Sequence, residues 1–323
     1  MASDTTYRII DLKELTPEER RSVENKRQNL FNQVDALKAK HKDDSGKTKK
    51  RYYSGTIQAC KFFADNFNTQ KFKNITAKQF RAVAEYWRDT QKPSTVQVNL
   101  SALRCYCKLA GNTNYLPENK ELFLEKREPK KYNRAWLPHE IDKAIQEAER
   151  TKRPDIKNAI LLSKQFGLRV SEVCNLKVST LRLALGYNGP TIKGKGGRIR
   201  YIPIEIDEQR TLLQKLYTEA KRKGLTDDDF LISKTTKYGP LRQQESIENW
   251  VINHRKEFTD PDRQKKPTPN GKPRSAQITF HGLRHYFCQE RRKRLEDAND
   301  PRALKKLTEG MGHGRLEVLE VYS

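Results

Sequence analysis

Gly167-Leu168-Arg169-Val170-Ser171-Glu172 is the segment on which the reading of this chain turns. It follows an apolar helical stretch around Ile160 to Phe166 and precedes Val173 and Leu176, so it predicts a turn between two buried helices with Arg169 at the turn. An arginine there needs an anion. Its guanidinium can grip two phosphate oxygens at once and keeps its charge at any physiological pH. Glu172, three residues on, is either the orienting partner of Arg169 or a charge at a helix N-terminus. Alone, the segment reads as a surface ion pair, and its surroundings must decide.

Downstream, Ile192-Lys193-Gly194-Lys195-Gly196-Gly197-Arg198-Ile199-Arg200-Tyr201-Ile202-Pro203 alternates into and out of a glycine-rich turn, which predicts a β-hairpin within Thr191 to Ile204. Lys195 at its tip can reach into a groove as a mobile proton donor, while Lys193, Arg198 and Arg200 suit backbone phosphate. Read in isolation, the same stretch is a solvated basic hairpin. In Thr279-Phe280-His281-Gly282-Leu283-Arg284-His285-Tyr286, His281 and Arg284 stand three apart, so they are expected on one helical face and able to address one phosphate. Gly312-His313 and then Tyr322 supply an imidazole and a phenol near the end of the sequence.

Upstream of the opening segment, a helix is expected from about Pro138 to Arg150. Before it, EKREPKKYNR from Glu125 to Arg134 is charged, contains Pro129 and loses apolar periodicity, as a linker does. The earlier residues are helical throughout. Thr16-Pro17-Glu18-Glu19 opens a helix running to about Lys38, with Val23, Leu30, Val34 and Leu37 at helical spacing. Tyr53, Ile57, Cys60, Ala64 and Phe67 form a second stripe. Thr76 with Gln79 opens a third helix, and a fourth follows Pro93 and stops at Gly111. Between the first two, Lys38 to Arg51 reads as a loop whose Lys47, Lys49, Lys50 and Arg51 either lie along a phosphate backbone or are merely solvated. The segment from about Phe258 to Ser275, rich in Pro, Lys and Arg, is either a DNA-facing loop or a disordered insertion, with the second favoured.

These elements divide 323 residues into a helical unit, 1–125, a linker, 126–135, and a mixed α+β, mainly helical unit with a small β-hairpin, 136–323. Lys and Arg number 65 against 41 Asp and Glu, a formal charge of +24, which favours a polyanionic partner. No apolar run is long enough to span a bilayer, and the first residues lack the pattern of a signal peptide, so no membrane partner is expected. The five cysteines are scattered without a Cys-x-x-Cys pair, and Cys105-x-Cys107 lies in an apolar helical pattern. They read as core residues of a reducing compartment, with no metal assigned.

Arg169 with Glu172, Lys195 in Gly-Lys-Gly, His281-x-x-Arg284, and Gly312-His313 with Tyr322 occur in this order in one basic chain. On the motifs GLRVSE, IKGKGGRIRYIPI, FHGLRHYF and MGHGRLEVLEVY, the second half resembles the catalytic domain of the tyrosine recombinases, or phage integrase family. The first half is similar to their core-binding domain in architecture only. The resemblance implies catalytic roles for Arg169, Lys195, His281, Arg284, His313 and Tyr322, with Glu172 in support. It implies a site-specific recombinase of a mobile element that cleaves and rejoins DNA through a 3′-phosphotyrosyl bond and a Holliday junction, without metal, ATP or other cofactor. The implied partners are double-stranded DNA at a specific site, a homotetramer on two duplexes and an accessory directionality or bending factor. The implied setting is the nucleoid in the cytoplasm of a prokaryote.

Two departures accompany the resemblance. The polar stretch from Arg291 to Asp300 implies an extended helix or loop between Arg284 and His313. The sequence given ends at Ser323, where many family members continue with a segment that docks on a neighbour. A shortened chain, exchange of the tyrosine-bearing segment itself, and assembly through other contacts all fit that ending. The rival functions are a type IB topoisomerase, a telomere resolvase, an inactive DNA-binding accessory protein of the same fold, and a metal-dependent nuclease. The last would need a carboxylate or His cluster that the sequence does not offer.

Overall fold

The structure, a computed structural model, describes residues 7–41, 46–67, 69–125, 134–194, 197–261, 263, 265–266, 274–275 and 278–311. The chain forms two compact units, Met1–Glu128 and Pro129–Ser323.

In the first unit, Thr16 and Glu19 close a reciprocal capping box that starts α1 (Pro17–Lys38), with Pro17 in its first turn. α2 spans Gly46–Phe67, α3 Ala77–Thr90 and α4 Pro93–Leu109. Thr76 and Gln79 repeat the capping box at α3. Gly111, at φ +74°, lies just past α4, where a left-handed residue ends a helix cheaply. α2 lies between α1 and α4 and contributes Phe62 and Phe63 to a core shared with Leu30, Val34, Trp87 and Leu103. Arg27 crosses from α1 to Asp65 of α2 through two hydrogen bonds of 2.9 and 2.6 Å, a buried pair that also satisfies Ile10 O.

The stretch from Lys38 to Arg51, expected as a loop, is helical from Gly46 onward. Lys and Arg are good helix formers, and the apolar stripe that begins at Tyr52 and Tyr53 carries the helix toward its N-terminus. Lys49, Lys50 and Arg51 therefore stand on the first turns of a helix, Lys50 and Arg51 exposed and Lys49 half-buried. The Lys47 side chain lies outside the described residues.

The second unit contains α5 (Pro138–Arg150), α6 (Pro154–Phe166), α7 (Val170–Cys174), α8 (Val178–Gly186), β1 (Thr191–Lys193), β2 (Ile199–Tyr201), α9 (Asp207–Arg222) and α10 (Gly239–Phe258). The short pair β3 (Lys265–Lys266) and β4 (Arg274–Ser275) follows, then α11 (Gly282–Asp297) and α12 (Ala303–Met311). α6 is the hub, packed against α5, α7, α9 and α11, with Ile160, Leu162 and Phe166 meeting Leu283 and Phe287 in the core. The polar stretch beginning at Arg291 continues α11 as helix to Asp297. Among the described residues, no helix is long and apolar enough to cross a membrane.

β1 and β2 pair antiparallel, with Thr191 opposite Tyr201, Ile192 opposite Arg200 and Lys193 opposite Ile199. Side chains alternate across a strand, so this register sets Arg200 beside Ile192 on the buried face.

The segment from Phe258 to Ser275 is not a disordered insertion in its described part. α10 runs to Phe258, and Arg263 is buried with its guanidinium on the Glu140 carboxylate and Ala135 O. Glu140 also accepts from Asp260 N at 3.0 Å, so a fully buried carboxylate at the start of α5 needs this segment to satisfy it. The residues 267–273 between β3 and β4 lie outside the described residues.

α6 stops at Gly167, whose φ of +60° is left-handed and whose missing Cβ leaves room for the Phe287 ring. Gly167→Ala is expected to destabilise the second unit by about 2 kcal/mol, from backbone strain plus the displaced ring. Urea denaturation followed in the second unit checks this, and an unchanged midpoint would contradict it.

Candidate functional site

The turn that ends α6 begins the site. Left-handed Gly167 reverses the chain, buried Leu168 anchors it, and Arg169 is extended at φ −71° and ψ 152° as the residue preceding α7. Glu172, in the first turn of α7, reaches back to accept Arg169 N at 2.8 Å and Arg169 Nη1 at 2.7 Å. It thus fixes both the backbone and the side chain of Arg169. Of the two roles open to it in the sequence, Glu172 performs both at once.

Glu172 also receives Arg200 from β2 through two parallel hydrogen bonds of 2.7 Å, Nη1 to Oε1 and Nη2 to Oε2. Arg200, expected on backbone phosphate, is instead buried, because the hairpin's alternation turns it inward. Arg284 Nη1 stands 4.0 Å from the same carboxylate. Three guanidiniums around one carboxylate leave a positive excess. Burial alone would raise the Glu172 pKa, but the hydrogen bonds and charge of Arg200, followed by those of Arg169, outweigh it and hold the carboxyl down at about 2. The hairpin comes close to this cluster, since a Cβ on Gly194 would lie 3.1 Å from Glu172 Oε1. Gly194 N donates to Arg198 O at 2.7 Å, so the pairing extends one residue past β1. Lys193 and Arg198 are exposed on either side of it. Lys195 lies outside the described residues.

His281 directly precedes α11 and is half-buried, its ring edge-on to buried His285 with centroids 5.2 Å apart. Trp136 Nε1 donates to Thr279 O at 2.8 Å and holds the chain entering α11. Gly282 lets that chain close over Trp136, since a Cβ there would collide with the indole and with Arg134 O. Arg169 and His281 line one cavity of about 390 Å³, together with Ser171, Glu248, Ile252 and Thr279. Two residues 112 positions apart in sequence, singled out separately, thus share a site.

Arg284 takes a different position from the one its spacing suggests. It is 1 % exposed, and its guanidinium donates to Gly167 O at 2.6 Å and to Met311 O. Gly167 follows the C-terminal end of α6, where helix carbonyls lack intrahelical partners and the dipole favours a cation, and Met311 is the last described residue of α12. Arg284 therefore joins α6 to α12 beside the Glu172 carboxylate. His313 and Tyr322 lie outside the described residues.

Sequence reasoning missed Arg200 as an internal partner, Trp136 as the brace of the His281 segment, and Ser171, Glu248 and Thr279 as cavity walls. Only Arg200 left a signal. It stands two residues before Ile202, so strand alternation puts both on the face that an apolar residue would bury.

Residues 134–323 match the model of the phage integrase family. The tyrosine recombinase XerA of Pyrococcus furiosus is 26% identical over 272 residues, covering 83% of this chain and 82% of that protein. The tyrosine recombinase XerC of Natranaerobius thermophilus is 24% identical over 305 residues, covering 92% of this chain and 94% of that one. Among solved structures, a lambda integrase tetramer bound to a Holliday junction superposes with a TM-score of 0.57 at 17% identity, covering 96% of this chain and 81% of that chain. The Tn1549 transposon integrase in complex with transposon right end DNA gives 0.53 at 16% identity, covering 91% and 94%. The solved structures establish the mainly helical recombinase fold, and the family match extends over more than half of the sequence: the protein belongs to the phage integrase family, the tyrosine recombinases.

Proposed function

We propose that the protein is a site-specific DNA recombinase of a mobile element, cleaving and rejoining DNA through a 3′-phosphotyrosyl bond and a Holliday junction. The observation that carries this reading is the cavity that Arg169 and His281 share, with Arg169 held there by Glu172, which Arg200 also pairs. A scissile phosphate is the anion that Arg169 and His281 together suit, and the guanidinium favours the added negative charge of a pentavalent transition state.

In this mechanism Arg169 binds the non-bridging oxygens, aided by His313 and by Arg284. The Tyr322 phenolate attacks phosphorus in line, forming the Tyr–P bond as the bond from phosphorus to the 5′-oxygen breaks. His281 orients the phenol or accepts its proton, and Lys195 protonates the leaving 5′-oxygen. The phosphotyrosine conserves the bond energy, so a 5′-hydroxyl from a second duplex reverses the step on a new strand. No metal, ATP or cofactor is required. Exposed Lys50, Arg51, Lys193 and Arg198 would contact phosphate backbone, as would Lys49 and Lys47 of α2. Two rounds of exchange imply four copies of the chain on two duplexes, residues 1–125 clamping DNA with 136–323. An accessory directionality or bending factor and a nucleoid location in a prokaryotic host complete the reading. The resemblance to an integrase solved with transposon end DNA supports the mobile-element role.

The test begins with selection of a bound sequence from a random duplex pool. Nicks are then scanned across the selected site to make suicide substrates that trap the covalent intermediate. The expected outcome is a denaturant-stable protein–DNA adduct, formed equally in excess EDTA, whose nucleotide-bearing peptide contains Tyr322. An adduct on another residue would refute the assignment, and binding without an adduct at any nick would favour an inactive DNA-binding protein.

A further inference from the structure

α12 is described as far as Met311, which Gly312 and His313 follow directly in sequence. The placement of α12 therefore sets the point from which the segment bearing His313 and Tyr322 departs. α12 packs on α11 and β2, and its backbone is held by side chains from one face of α11. Arg284 and Arg291 are seven residues apart, two helical turns, and both point into the interior, 1 % and 2 % exposed. Arg284 donates to Met311 O and Arg291 Nη1 to Lys306 O at 3.1 Å, so α12 is held at two carbonyls five residues apart.

Arg291 is itself fixed from the opposite side. Its Nε lies 2.9 and 3.0 Å from the two Glu205 carboxylate oxygens, and its Nη2 donates to Oε1. Glu205 stands between β2 and α9 and is anchored there through its own N–H, which donates to Gln209 Oε1 at 2.7 Å. Gly310 completes the arrangement, because any Cβ at that position would fall within the Arg291 guanidinium. The chain of contacts runs from the connection after β2, through one planar fork, to the backbone of α12.

We infer that Arg291, locked by Glu205 and admitted by Gly310, is a positioning residue for cleavage: it sets the height and rotation of α12 and thereby the approach of the tyrosine-bearing segment to the phosphate. The inference rests on the proposed role of Tyr322. Arg291 is separate from the shared cavity of Arg169 and His281, so its loss should affect the rate of attack and leave DNA affinity in place. Misplacing a nucleophile by about 1 Å can cost on the order of a hundredfold in rate.

The test uses the full chain with Arg291→Met, Gly310→Ala, Glu205→Gln and Arg291→Lys, on the nicked duplex that traps adduct with the wild type. At saturating DNA, single-turnover adduct formation is expected to fall roughly 10- to 100-fold in Arg291→Met and Gly310→Ala. The dissociation constant for the duplex should stay within about twofold, which separates the rate of attack from binding. Arg291→Lys, which keeps the charge at Glu205 without the fork, should fall between wild type and Arg291→Met. Hydrogen exchange should quicken in Leu307–Met311 before it does in α6. A rate within about twofold of wild type overturns the inference, as does a parallel loss of binding and cleavage that tracks the folded fraction. If Arg291→Met does not fold, Glu205→Gln and Gly310→Ala decide on the same criteria. A wild-type protein that forms no adduct, or forms it away from Tyr322, fails the parent reading instead.

Discussion

Arg169→Ala is expected to slow single-turnover adduct formation roughly 1000-fold while leaving the fold intact. The size follows from its place: the side chain is 26 % exposed, lines the cavity with His281, and is the guanidinium of the cluster that opens to it. Removing one preorganised donor at a developing oxyanion costs about 100- to 1000-fold, and removing an arginine that neutralises a transferring phosphoryl group costs about 1000-fold or more. The fold should survive because Glu172 keeps its two hydrogen bonds from Arg200 when Arg169 is gone, so no buried charge is orphaned. Arg169→Lys should recover only part of the rate, since an ammonium cannot present two coplanar donors. Quenched-flow kinetics on the nicked duplex at saturating DNA, with a denaturation curve for each variant, supplies both readouts. A rate within about tenfold of wild type, or a stability loss that accounts for the rate, would remove Arg169 from the mechanism.

The same experiment on Arg284 would be harder to interpret. Its guanidinium joins the end of α6 to α12, so an alanine there releases both helices along with any phosphate contact. Arg169 and Arg284 are equivalent in a motif and different in the interior: one faces a cavity, the other is a structural rivet that would have to share its donors with substrate.

That contrast marks where the sequence was legible. Local rules read well. The capping boxes at Thr16 and Thr76 and the first-turn prolines of α4 and α5 placed helix starts within a residue or so, because those signals act between neighbours three or four positions apart. The Arg169–Glu172 contact was visible for the same reason. What failed was long-range pairing. Arg200 comes to Glu172 across 28 residues, and Arg263 to Glu140 across 123. No local pattern says that a basic residue in a basic hairpin, or in a Pro- and Lys-rich stretch, is owed to a buried carboxylate elsewhere. The α2 boundary was missed for a different cause. Lysine-rich polarity was read as loop, although lysine and arginine are good helix formers and an apolar stripe lay just beyond.

Glu172 carries the second large expectation. Its carboxyl is held at about 2 against an ordinary value of 4.5, a gap that corresponds to about 3 kcal/mol of stability at neutral pH. The sign follows from the direction of the shift. A depressed folded-state pKa means the contribution is fully present above about 4.5, declines as pH falls toward 2, and is gone once the carboxyl is protonated in both states. Glu172→Gln should therefore be less stable than wild type by about 3 kcal/mol at pH 6 to 7, with the difference falling to less than half of that near pH 3 and close to zero by about pH 2. Other carboxylates titrate in that window too, and taking the difference between the two proteins cancels them. Glu172→Ala should cost more, about 3 to 5 kcal/mol, because it leaves Arg200 buried without a partner and Arg169 without its brace. Hydrogen exchange of α6 and α11 amides reports this unit separately from residues 1–128, which makes the comparison sound in a chain whose two units need not unfold together. A difference between wild type and Glu172→Gln that stays constant from pH 7 to pH 3 would mean that the carboxylate's charge is not what holds the two arginines. The cluster would then be held by shape and hydrogen bonding, and the case for an ionised Glu172 as the brace of Arg169 would fail.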